Sequence, residues 1–73
     1  MAKKDTGVYR VTEVIGTSAT SWEDAARNAV KTASKSLRDL RIAEVTKLDV
    51  RLDEQGRIAQ FRTRLSLSFK YEG

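Results

Sequence analysis

Residues 42–71 read IAEVTKLDVRL, DEQG, RIAQFRTRLSLSFKY, and this stretch decides the fold. After Gly56, apolar and polar residues alternate almost without a break. Ala59, Phe61, Leu65, Leu67, Phe69 and Tyr71 take the odd positions, interrupted by Thr63. Gln60, Arg62, Arg64, Ser66, Ser68 and Lys70 take the even ones. A period of two is the mark of a strand with one buried face. Ahead of it, Leu48, Val50 and Leu52 alternate with Lys47, Asp49 and Arg51, which predicts a strand over Ile42–Leu52 with Ile42 on the face of Leu48. Asp53-Glu54-Gln55-Gly56 supplies a turn, with glycine where a positive φ is needed, so the two strands form a hairpin.

Working upstream, the period changes. Trp22, Ala25, Ala26, Ala29, Val30, Ala33, Leu37 and Leu40 fall on one helical stripe, which predicts a helix of about 18 residues. Ser21 with Asp24, or Thr20 with Glu23, supplies its N-terminal cap, and Glu23 and Asp24 suit the positive end of the helix dipole. A stripe so rich in alanine calls for close packing on a sheet. Before the helix, Val8–Ile15 reads as a strand with Tyr9, Val11 and Ile15 on one face and Arg10 and Thr12 on the other. Gly16 to Ser21 reads as the break after it.

The order is β-α-β-β, an α+β class. A helical crossover makes the first two strands parallel, and the hairpin makes the third antiparallel to the second. A three-stranded antiparallel sheet of order 1-3-2, with the helix on one face, satisfies both. Residues 1–6 are polar and expected to be mobile; residues 7–73 form a single domain.

Composition narrows the function. Of 73 residues, 14 are Lys or Arg and 10 are Asp or Glu, for a net charge of +4, with no histidine and no cysteine. Disulfides, thiolate metal sites, cysteine nucleophiles and imidazole acid–base chemistry are therefore excluded. No apolar run approaches the roughly 20 residues that span a bilayer, and Met1–Thr6 lacks a signal peptide's apolar stretch. A cytoplasmic binding protein, not an enzyme, is the expectation. The cations are interleaved with acids rather than clustered, which argues against nucleic acid. Below about 80 residues one core is marginal without staples. Strands of about 11–15 residues span ~36–50 Å, whereas a helix of about 18 residues covers ~27 Å. Leu48, Val50, Ile58 and Phe61 lie at the hairpin end, and some of this apolar surface then needs another subunit.

Tyr9-Arg10-Val11, Val14-Ile15-Gly16-Thr17-Ser18, Ala25-Ala26, Ala43-Glu44-Val45 and Ser68-Phe69-Lys70 occur in an order and spacing that resembles the dodecin family over nearly the whole chain. The resemblance implies a hollow homododecamer of cubic symmetry. Typical members hold paired flavins near threefold axes, stacked between tryptophans and held by a glutamine. Here Ile42 stands at the tryptophan position and Arg62 at the glutamine position, with Arg41 beside the former. Isoleucine has no π-face and forgoes stacking worth about 0.5–1.5 kcal/mol; an arginine can instead clamp a phosphate or carboxylate. The run from Thr17 to Glu23, Arg41-Ile42-Ala43 and Arg62 resemble the calcium-dodecin subgroup, which lacks the flavin site.

The oxygen donors on offer are Glu13, Glu44, Asp49, Asp53 and Glu54. Calcium takes six to eight oxygens, so Glu44 and Asp49 on the long second strand are candidate metal ligands if symmetry brings copies together. The plainer role for both is an interface salt bridge with Arg62 or Arg64. Three functions stay open: binding of calcium or a phosphate-bearing anion, flavin storage despite Ile42, and a structural or nucleic-acid-associated assembly.

Overall fold

The computed structural model describes residues 7–71. It contains β1 (Val8–Ser18), α1 (Trp22–Ser34), β2 (Leu40–Leu52) and β3 (Ile58–Tyr71). The sheet order is β1-β3-β2, with both outer strands antiparallel to the centre. The expected mobility of residues 1–6 lies outside the described residues, as do residues 72 and 73. No helix among the described residues is long and apolar enough to cross a membrane.

Cross-strand partners share a face, so β3 sorts its neighbours. Leu65, Leu67 and Phe69 are buried under α1 with Ala25, Ala29 and Ala33. Opposite them, Val14 pairs with Leu65 and Gly16 with Thr63. Gly16 is where strand and helix come closest: a Cβ there would lie 2.0 Å from the Ala25 carbonyl oxygen and 2.8 Å from the Ala29 Cβ. Glycine on β1 and alanine on α1 are thus two halves of one contact.

The helix is shorter than its stripe predicts. It ends at Ser34, where the Lys35 amide turns to the Thr32 carbonyl at 3.2 Å and the Leu37 amide to the Ala33 carbonyl at 2.8 Å. Ser34 also donates its hydroxyl to the Val30 carbonyl at 2.7 Å, a local bond that weakens helical propagation. Asp39 adopts φ of 58°, reversing the chain into β2. Leu37 and Leu40 still reach the core, from the connection and from β2. The N-terminal cap is Ser21, whose hydroxyl accepts the Asp24 amide at 2.9 Å. Gly16-Thr17-Ser18 is not a break: it continues β1 against Thr63, Arg62 and Phe61.

The predicted face of Ile42 is also corrected. The register steps from Val45↔Leu65 to Lys47↔Arg64, leaving Thr46 as an extra residue whose hydroxyl donates to the Arg64 carbonyl at 3.2 Å. This β-bulge reverses the alternation. Ile42 and Glu44 therefore lie on the face of Lys47 and Asp49, away from the helix, and opposite Leu48 and Val50. The hairpin turn forms as expected: Asp53 accepts the amides of Gln55 and Arg57 at 2.9 Å each, and Gly56 takes φ of 81°. These bonds, that from the Arg57 amide first, hold the Asp53 carboxyl below its usual range.

The molecule measures 59 × 20 × 19 Å, and its radius of gyration is 15.3 Å. A compact chain of this length would have about 11 Å. Its accessible surface, 5585 Å², exceeds the ~4,500 Å² expected for its mass. Val11, Ile15, Ile42, Val45, Leu48, Leu52 and Ile58 are exposed, whereas half of the buried core is alanine. Among the described residues, more large apolar side chains are exposed than fully buried.

Candidate functional site

The face of the sheet opposite α1 carries nearly all the candidate residues. Its side chains line up in rungs across the three strands. Val11, Ser68 and Ile42 form one rung; Glu13, Ser66 and Glu44 the next; Ile15, Arg64 and Lys47 a third; Thr17, Arg62 and Asp49 a fourth. An apolar rung is thus followed by an acidic, a basic and a mixed one.

In the fourth rung, Arg62 grips Asp49 with two prongs. Its Nε donates to Oδ1 at 2.7 Å and its Nη2 to Oδ2 at 3.2 Å. The hydrogen bonds from Arg62 hold the Asp49 carboxyl below the usual carboxylate range, and Asp49 in turn raises the guanidinium. The pair is half-exposed, and its planar match gives it direction rather than much stability. The salt bridge expected for Asp49 at an interface is formed instead within one chain, because Asp49 and Arg62 are direct cross-strand partners. Arg64 pairs with Glu13 instead, at 3.7 Å.

Glu44 differs. Among the described residues it has no cation within ion-pair distance, and it flanks Ser66 on the rung that also carries Glu13. With strands about 4.8 Å apart, the Glu13 and Glu44 backbones lie ~10 Å from each other. Among the described residues no three acidic groups converge as a metal cage. Glu44 and Asp49 are opposite Ser66 and Arg62, four residues apart on β3, or ~13 Å.

The positions that the sequence resemblance assigned to a flavin site are likewise separate. Ile42 is opposite Ser68, six residues along β3 from Arg62, which is ~20 Å. Arg41, at a register irregularity, reaches Asp39 at 3.9 Å. Within one chain these positions do not converge on a single site.

On the helix side, Trp22 was expected as a packing residue and does more. Its indole N–H donates to the Asp49 carbonyl at 2.9 Å, and its ring stands edge-on to Phe61 at 5.2 Å. Its own carbonyl accepts the Thr63 hydroxyl at 2.9 Å. Nearby, the buried Ser18 hydroxyl donates to the Asp24 carboxylate at 2.6 Å and accepts the Thr20 amide at 3.0 Å. The sequence signal for Ser18 was the Thr17-Ser18 pair itself, read there as a break.

One helix packed on one face of a long three-stranded sheet, with the opposite face exposed, defines a β-α-β-β architecture. The chain belongs to the dodecin family: the family model matches residues 8–72. It is 48% identical over 63 residues to the calcium dodecin of Mycobacterium tuberculosis, covering 86% of this chain and 87% of that one. A crystal structure of calcium dodecin from that organism, with a calcium-binding site, is similar at TM-score 0.79 and 46% identity over 89% of this chain and 91% of that one. The dodecin of Streptomyces coelicolor is similar at TM-score 0.86 and 40% identity, covering 96% of this chain and 99% of that one.

Proposed function

We propose that the protein is a homododecameric small-ligand binding and storage protein whose ligand is calcium, and that it is not an enzyme. The observation that carries this reading is the open sheet face. The flavin-stacking position is Ile42, Arg62 is committed to Asp49, and among the described residues Glu44 has no cation within ion-pair distance. The 48% identity to a protein named calcium dodecin supports the same ligand.

In this reading Glu44 is the primary ligand, with Glu13 across Ser66 and Asp49 further along β2 as further oxygen donors. Copies of the acidic rung brought together at a symmetry axis repel: like charges at 4 Å cost about 1 kcal/mol even at the dielectric of water. A divalent cation reverses that repulsion and joins subunits. A phosphate-bearing anion fits less well, because the guanidinium that would receive it is already neutralised. Flavin storage remains the alternative use of the Arg41, Ile42 and Arg62 positions, with no aromatic plane to stack on.

The test is thermal unfolding with calcium against sodium chloride of matched ionic strength. A ligand that binds only the folded assembly stabilises by about 2.7 kcal/mol at a hundredfold excess over Kd. Calcium should raise the melting temperature and Glu44→Gln should blunt the rise. No calcium-specific shift would contradict the reading.

A further inference from the structure

We infer that Trp22 is a positioning residue for the Asp49–Arg62 pair, holding from the helix side the rung that carries the pair on the open side. Arg62 is flanked on β3 by Phe61 and Thr63, and its cross-strand partner is Asp49. Trp22 touches all three. The Phe61 ring meets the indole edge-on, the Thr63 hydroxyl donates to the Trp22 carbonyl, and the Asp49 carbonyl accepts the indole N–H. Residues on either side of a strand residue point to the opposite face, so a grip on Phe61 and Thr63 fixes where Arg62 leaves the sheet. The Asp49 contact does the same from β2. Thr63 is 1% exposed, so its bond to Trp22 is shielded from water, where a hydrogen bond lost is costly.

This grip matters because a two-pronged contact tolerates little misplacement. The Asp49–Arg62 distances of 2.7 and 3.2 Å depend on the relative height of β2 and β3 at this one rung. That rung lies beyond the Thr46 bulge, where the ladder has just been reset. The N-terminus of α1 is in this way mechanically tied to the charge pair on the far side of the sheet. The tie does not depend on which ligand the open face takes.

Trp22 is the chain's single tryptophan, so its fluorescence reports this place alone. Arg62→Gln, which removes the fork, should shift the Trp22 emission and raise its acrylamide quenching constant about twofold. Arg64→Gln breaks the Glu13 pair one rung away and should leave both unchanged. Equal responses to the two substitutions, or none to Arg62→Gln, would overturn the inference. A second arm uses Trp22→Phe, which keeps a smaller ring against Phe61 and removes the N–H together with the second ring of the indole. In that background Arg62→Gln should lower the melting temperature by less than half of its effect in the native chain. An undiminished effect would show that the pair is placed without Trp22, and would also overturn the inference. Neither arm contains calcium, so a failure here is separable from a failure of the calcium reading.

Discussion

Asp49 is held on both sides of the sheet: its carboxylate by Arg62 through two hydrogen bonds, its carbonyl by the indole of Trp22 at 2.9 Å. The carboxyl is depressed in the folded state, first because Arg62 hydrogen-bonds to it. A depressed carboxyl stabilises the fold above its unfolded pKa, about 3.9, and that stabilisation is lost as pH falls through the lower folded value. The melting temperatures of native protein and Arg62→Gln should therefore differ most above about pH 4 and converge toward pH 2. A difference that stays constant across this range would mean that the pair does not act through the Asp49 charge.

The close approach of Gly16 to α1 yields a packing prediction. Gly16→Ala places a methyl group 2.0 Å from the Ala25 carbonyl oxygen, and backbone must move to accept it. Overpacking of this kind costs about 1–3 kcal/mol. Chemical unfolding should show that loss, whereas Gly56→Ala meets no atom within 4 Å and is strained only by its φ of 81°. Unchanged stability in Gly16→Ala would show that the helix is free to lift.

The proposed loss of flavin stacking at Ile42 and Arg62 supplies a third test. Ile42→Trp with Arg62→Gln rebuilds an aromatic plane and an amide at the matching positions. Riboflavin should bind the double variant at least about tenfold more tightly than the native protein, a gain of about 1.4 kcal/mol, within reach of a ring stack. Fluorescence titration showing equal or tighter binding by the native chain would contradict the account of the open face.

Legibility in the sequence followed the regularity of the backbone. The long alternation of β3 and the capped, alanine-rich stripe were enough for element order, topology and the helix face. Three features were not readable, each for a local reason. The helix stripe ran on into Leu37 and Leu40 because both do reach the core, though from outside the helix. The strand character of Gly16-Thr17-Ser18 was hidden because glycine and hydroxyl residues usually mark turns, whereas here the glycine makes room for Ala25. The Thr46 bulge left no signal in a Val-Thr-Lys run, yet it decides the site: without it Glu44 and Asp49 would lie on opposite faces. Glu13 was visible only as one oxygen donor among several until the rung pairing set it across Ser66 from Glu44.

The central claim, a calcium-binding assembly built on shared sheet faces, is tested most directly by native mass spectrometry of the purified protein in calcium-containing volatile buffer. Twelve copies of the 8.2 kDa chain, the number proposed above, give a particle of about 98 kDa. The account predicts this mass with added calcium that is reduced in Glu44→Gln. A monomer or dimer, or a dodecamer that takes up no calcium, would contradict it.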